Sequence, residues 1–206
     1  MYFLDTIFQS SAAPPQYMKQ YFERVAELMR ALDLAALEQV IQAIEAAAER
    51  GRTLFLIANG GSSAVASHFV NDAVVGAGVD GKPPLRALSL SDNVESVTAI
   101  ANDAGYENIF ATQLKMLLNP GDLVLAMSVS GNSENILRGV ETARKMGGLT
   151  IGWSGFDGGR LAKACDLALV VPTTGDEYGP VEDMFSILEH AIITWLTLRR
   201  GKPLHH

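Results

Sequence analysis

Thr53-Leu54-Phe55-Leu56-Ile57-Ala58-Asn59-Gly60-Gly61-Ser62-Ser63 is the stretch that decides the fold. Six residues without a charge read as a strand buried on both faces, which is the habit of parallel sheets. The run then breaks into small, polar residues that suit a turn and a helix start. Moving outward, four more runs have the same character: 86–90, 123–127, 150–153 and 167–171. Helical periodicity separates them near 63–75, 93–118, 133–147, 158–164 and 181–198. Alternation of this kind predicts an α/β domain with a doubly wound, five-stranded parallel sheet over 51–200.

Residues 1–50 are helical in pattern. Leu34, Leu37, Val40, Ile41, Ile44 and Ala48 make one apolar face, and Gly51 stands where a C-terminal cap belongs. A second periodic stretch, Tyr17 to Leu32, opens after Pro14-Pro15. These helices either wrap their own domain or pair with another copy of the chain. The second is favoured, because they exceed what a crossover connection needs.

Composition narrows the function. The chain has 206 residues, 48% hydrophobic and 19% charged, with a formal net charge of −7. The balance is acidic, so a basic nucleic-acid footprint is absent. No apolar run reaches the length of a membrane span. The start lacks a positively charged n-region, so no signal peptide is expected. The single cysteine, Cys165, cannot form an intrachain disulfide, and a cytoplasmic protein is the expectation.

In open parallel sheets, ligands bind beyond the carboxyl ends of the strands. Three loops there are small and polar: Asn59-Gly60-Gly61-Ser62-Ser63, Ser91-Asp92-Asn93 and Ser128-Val129-Ser130-Gly131-Asn132-Ser133. Glycines let the backbone approach an anion, and a helix start offers free N–H groups. An acidic chain can therefore still hold a phosphate with neutral donors. Neither glycine loop fits the nucleotide-binding patterns GxxxxGK[ST] or GxGxxG. Turn-making alone could explain each loop singly, and Asp92 with Glu95 also fits a helix capping box.

These loops, together with His68-Phe69, Ala87-Leu88-Ser89-Leu90, Thr98-Ala99-Ile100-Ala101-Asn102-Asp103 and Gly155-Phe156-Asp157-Gly158-Gly159, resemble the sugar-isomerase (SIS) fold. The chain is most similar to the sedoheptulose-7-phosphate isomerases, also called phosphoheptose isomerases, from about Leu34 to Leu198. The resemblance implies an aldose–ketose isomerase of a phosphorylated heptose or related long-chain sugar, working through an enediolate. It implies that Ser128, Ser130 and Ser133 hold the phosphate, and that Asn59, Gly60, Gly61, Ser62, Asp92 and Asn132 line the substrate. It also implies a homotetramer with sites built by more than one subunit.

Such chemistry needs a base, an acid and a stabiliser for an oxyanion. His68 and Asp72 lie four apart on one helix, hence on one face. Glu182 and His190 lie on the last helix. By resemblance, Asp72 and His190 are the catalytic pair, and His68, Asp72, Glu182 and His190 are the ligands of a zinc ion or another divalent metal. Eight helical residues span about 12 Å, so either Glu182 precedes the regular helix or it faces a different part of the site from His190. The chain also departs from the family. Asp72 stands for a glutamate, Glu182 for a glutamine and Val129 for a threonine. Gly179 and Pro180 replace an acid and an arginine, with Glu177 and Tyr178 as partial substitutes.

Two other functions compete. One is a non-catalytic interaction protein, like replication-initiator-binding relatives of the fold; the retained His68, Asp72 and His190 argue against it. The other is a sugar-sensing regulator, for which the chain has no room for a DNA-binding domain.

Overall fold

The structure is a computed structural model that describes residues 2–204. Met1, His205 and His206 lie outside the described residues.

The strands are β1 (Thr53–Ala58), β2 (Arg86–Ser89), β3 (Leu123–Ser128), β4 (Leu149–Ser154) and β5 (Leu167–Val170). They pair in parallel in the order β2-β1-β3-β4-β5. The apolar runs located each strand to within a residue or so. Both faces of β1, β3 and β4 are covered, whereas β2 at the edge leaves Arg86 and Leu88 exposed; alternate residues of one central strand serve opposite cores. Leu54, Leu56 and Ala58 join one apolar cluster; Phe55 and Ile57 join the other.

The first cluster packs α3 (Leu34–Glu49), α4 (Gly60–Asn71) and α9 (Tyr178–Arg199) against the sheet. The second lies under α5 (Val94–Ala104), α6 (Ile109–Leu117), α7 (Glu134–Lys145) and α8 (Gly159–Ala164). The single helix predicted over 93–118 is two helices, because Gly105 adopts φ +91°, a left-handed conformation, and a short 3₁₀ turn, Tyr106–Asn108, follows. Beyond α4 the chain makes one π turn, Asp72–Gly76.

At the N-terminus stand α1 (Phe3–Ser10) and α2 (Pro14–Arg30). Helix α1 lies within the helical pattern of residues 1–50 but has no periodic stretch of its own in the sequence. It is held tertiarily: the Leu4 amide donates to Asp176 Oδ2 at 2.6 Å, and Arg24 lies 5.0 Å from the Phe3 ring centre. Helix α2 packs on α9, so these helices cover their own domain. They still leave Phe8, Met18, Phe22 and Met29 exposed. Among the described residues, no helix is long and apolar enough to cross a membrane.

Strand order places the site. The chain leaves β1 for β2 on one side, then crosses to β3 on the other. The reversal opens a crevice between the carboxyl ends of β1 and β3. The two glycine-containing loops emerge there.

Candidate active site

The loop after β1 turns sharply because Gly60 takes φ +52°. Asn59 is tied across the crevice. Its Oδ1 accepts from Asn135 Nδ2 at 2.7 Å and from the Tyr106 hydroxyl at 2.9 Å, while its Nδ2 donates to Asn135 Oδ1 at 2.9 Å. Ser62 is buried and donates to Glu182 Oε1 at 3.1 Å. A Cβ on Gly61 would collide with that same carboxylate. The glycine thus makes room for Glu182 at the lip of the crevice.

In the loop after β3, the hydroxyls of Ser128 and Ser133 stand 3.2 Å apart. Ser133 precedes α7 but its side chain does not cap the helix. Ser130 Oγ accepts from the Asn132 amide at 3.3 Å. Gly131, at φ +63°, lies against the backbone of Gly158 and Gly159, where any Cβ would meet the Gly158 carbonyl. The loop is therefore held by the loop after β4 through backbone contact. Arg160, which sequence reasoning passed over, closes this corner. Its backbone N–H reaches Asn132 Oδ1 at 3.2 Å, and its Nη2 reaches the Asn132 carbonyl and Glu134 Oε2, each at 3.1 Å. Its place directly after Gly158-Gly159 was the available signal. Val129 is buried in the first core cluster, so this position faces away from the crevice.

Asp92 accepts from Ser89 Oγ at 3.0 Å and from Ser67 Oγ. It does not cap α5. Asn93 does, accepting from the Ser96 amide at 2.9 Å, so the capping box read at Asp92 and Glu95 is displaced by one residue.

The titratable groups sit lower, on the flank of α4 and α9. These helices pack side by side and run in the same direction, since Ser62 meets Glu182 and His68 meets Glu189. From Ser62 to His68 the rise is about 9 Å. His68, Asp72, Glu189 and His190 each offer one ligand atom, all within 4.8 Å of one another. His68 Nε2 lies 3.6 Å from Asp72 Oδ2. Glu189 Oε2 lies 4.0 Å from His68 Nδ1 and 3.3 Å from His190 Nε2. The two imidazoles meet edge to face at 4.9 Å. Both are about half exposed, so His190 is no core histidine.

Three of the four expected ligands are thus together. Glu182 is not among them. It lies within α9, which begins at Tyr178 rather than 181 and takes Pro180 into its first turn, where the missing N–H costs little. Eight residues of helix separate it in height from His190, so the two face different parts of the site.

Glu189 stands in that fourth place, and the sequence analysis did not name it. The signal was a lone acid in the apolar run Ile187-Leu188-Glu189, with Ile192-Ile193 one turn on. Its side chain has no exposure, and neither oxygen has a hydrogen-bond partner among the described residues. Burial first, then the Asp72 carboxylate beside it, push its carboxyl up to about 7. Two carboxylates and two imidazoles with an unpartnered buried oxygen pair are a donor set that suits a divalent cation.

Glu177, considered as a stand-in near the site, is used elsewhere. It is buried and clamped by Arg24 of α2, with Nε–Oε1 at 2.7 Å and Nη2–Oε2 at 3.2 Å.

Comparison with known proteins points one way. The SIS domain family matches residues 20–155. A probable phosphoheptose isomerase of Thermoplasma acidophilum is 35% identical over 176 residues, covering 85% of this chain and 91% of that protein. The phosphoheptose isomerase of Helicobacter pylori is 33% identical over 188 residues, covering 91% and 92%. Among solved structures, a phosphoheptose isomerase from Francisella tularensis superposes with a TM-score of 0.80 at 28% identity, covering 89% of this chain and 96% of that one. The phosphoheptose isomerase of Neisseria gonorrhoeae gives 0.79 at 25% identity, covering 87% and 94%.

Proposed function

The chain belongs to the SIS domain family, among the phosphoheptose isomerases, and on that premise we propose that it interconverts the aldose and ketose forms of a seven-carbon or related long-chain sugar phosphate. The observation that carries the chemistry is the cluster on α4 and α9, with its four ligand atoms within 4.8 Å.

Isomerisation removes a proton from the carbon beside the carbonyl and returns it to the neighbouring carbon, through an enediolate. Asp72 is the base and His190 the acid, a pairing that general acid–base catalysis rewards with about 10²–10⁴-fold in rate. His68, whose Nε2 lies 3.6 Å from Asp72 Oδ2, orients Asp72. The hydroxyls of Ser128, Ser130 and Ser133, with the uncapped start of α7, receive the phosphate without any lysine. Asn59, Gly60, Gly61, Ser62, Asp92 and Asn132 line the crevice where the sugar hydroxyls lie. A divalent cation, zinc first among the candidates, would be held by His68, Asp72 and His190, and would polarise the substrate carbonyl.

Exposure supports a shared assembly. The imidazoles are half exposed and stand about 9 Å along α4 from Ser62, so a neighbouring copy has room to complete the site. Exposed Phe8 and Phe22, and Trp195 and Leu198 on α9, supply apolar surface for that contact. A homotetramer with shared sites is the proposed form. Nothing in the site favours the non-catalytic alternative.

The test is isomerisation of sedoheptulose 7-phosphate followed by NMR, with protein pre-incubated with zinc. Asp72→Asn and His190→Asn should each lower turnover by about 100-fold or more while the assembly persists by sedimentation. No turnover on any seven- or eight-carbon sugar phosphate refutes the reading.

A further inference from the structure

Positions 182 and 189 of α9 are seven residues apart, hence nearly on one face and about 10.5 Å apart in height. Both are glutamates turned toward α4, so pattern alone does not say which of them joins the imidazoles. Height does. Glu182 meets the first turn of α4, at Ser62. Glu189 meets the level of His68.

Their surroundings differ as much as their heights. Glu182 has a hydrogen-bond donor of its own. Glu189 is fully buried, has no donor on either oxygen among the described residues, and faces two imidazoles and a second carboxylate. A buried carboxylate without donors is unfavourable unless something positive is close. Two carboxylates with two neutral imidazoles carry the charge that one divalent ion cancels, and nitrogen and oxygen donors of this kind suit zinc.

We propose that Glu189, and not Glu182, is the fourth ligand of a divalent cation held by His68, Asp72 and His190, which leaves the Glu182 carboxylate at the crevice lip to face the sugar. The proposal rests on the isomerase reading for its setting, but its chemistry is that of the cluster itself.

Zinc binding to the full-length, metal-stripped protein is the test, measured by competition with a chromophoric chelator and by the cobalt absorption spectrum. Wild type should take one ion per chain. Glu189→Gln keeps the shape and removes the charge; its zinc affinity should fall by at least about 100-fold. Glu182→Gln should bind as wild type does, with an unchanged cobalt spectrum. Without metal, Glu189→Gln should melt no lower than wild type, because it removes an uncompensated buried charge, and zinc should raise the melting temperature of wild type but not of this variant.

The proposal is overturned if Glu182→Gln loses zinc, alone or together with Glu189→Gln, or if wild type binds none. Failures of the two readings separate cleanly. Turnover of a heptose phosphate by a chain that takes no zinc removes this inference and leaves the isomerase. Zinc bound through Glu189 in a chain that isomerises no sugar phosphate does the reverse.

Discussion

Arg24→Met tests how the N-terminal helices are fixed to the catalytic domain. Arg24 reaches from α2 to Glu177, whose side chain has no exposure, while its own side chain is 20% exposed. Two guanidinium contacts hold the carboxylate, at 2.7 and 3.2 Å. Thr174 supplies two more donors, its amide at 2.6 Å and its hydroxyl at 3.0 Å. Removing one partner of a buried pair costs about 3–5 kcal/mol. Water reaches the Arg24 end and Thr174 keeps its bonds, so the lower end applies, about 3 kcal/mol. For a chain of this size that is a fall of about 6–12 °C in melting temperature. Glu177→Gln in the Arg24→Met background removes the stranded charge and should recover much of the loss, which a double-mutant cycle reads directly.

The pH dependence has a definite sign. Burial alone would raise the Glu177 carboxyl. The bonds from Arg24 and Thr174 outweigh it and hold the group below the ordinary carboxylate value. A depressed folded value means the stabilisation is complete above the unfolded value, about 4.3, and is lost as the pH falls through the folded one. The gap between wild type and Arg24→Met should therefore be constant from neutrality down to weak acid and close in stronger acid. Thermal or urea unfolding at several pH values measures it. A gap under about 1 kcal/mol at neutral pH, the range of exposed pairs, refutes the buried-pair reasoning. So does a gap that ignores acid.

Gly131→Ala should destabilise the chain by about 1–3 kcal/mol from backbone strain alone, more with the clash against Gly158, and should raise KM for sugar phosphate through the displaced serine loop; unfolding curves and kinetics report the two effects separately. Cys165 should resist alkylation of the native protein at neutral pH and become reactive on unfolding, because burial first pushes its thiol up to about 12 and leaves almost no thiolate; mass spectrometry after iodoacetamide at matched times is the check.

The sequence made the sheet plain because buried strands carry their signal in composition: four of the five runs hold no charge, and the fifth, which opens with Arg86, forms the exposed edge strand β2. Helix α1 was harder, since eight residues hold together through Asp176 and Arg24, contacts that local pattern does not contain. His68, Asp72 and His190 were found because helical spacing and family resemblance agreed on them. Glu182 and Glu189 are hard to tell apart in sequence for a physical reason. They share a face of α9, and only the height at which α4 is met tells them apart. Arg160 escaped because its partner, Asn132, lies in a different loop.

The parallel run of α4 and α9 has a consequence for variation in this site. The gap between the crevice lip and the imidazole level is set by backbone rise along two helices, not by side chains. Exchanging residues at one storey leaves the elevation of the other untouched. Natural or laboratory selection can therefore reshape the groups at the crevice lip without disturbing the cluster at the imidazole level, and the reverse, so long as neither helix gains or loses a residue between them.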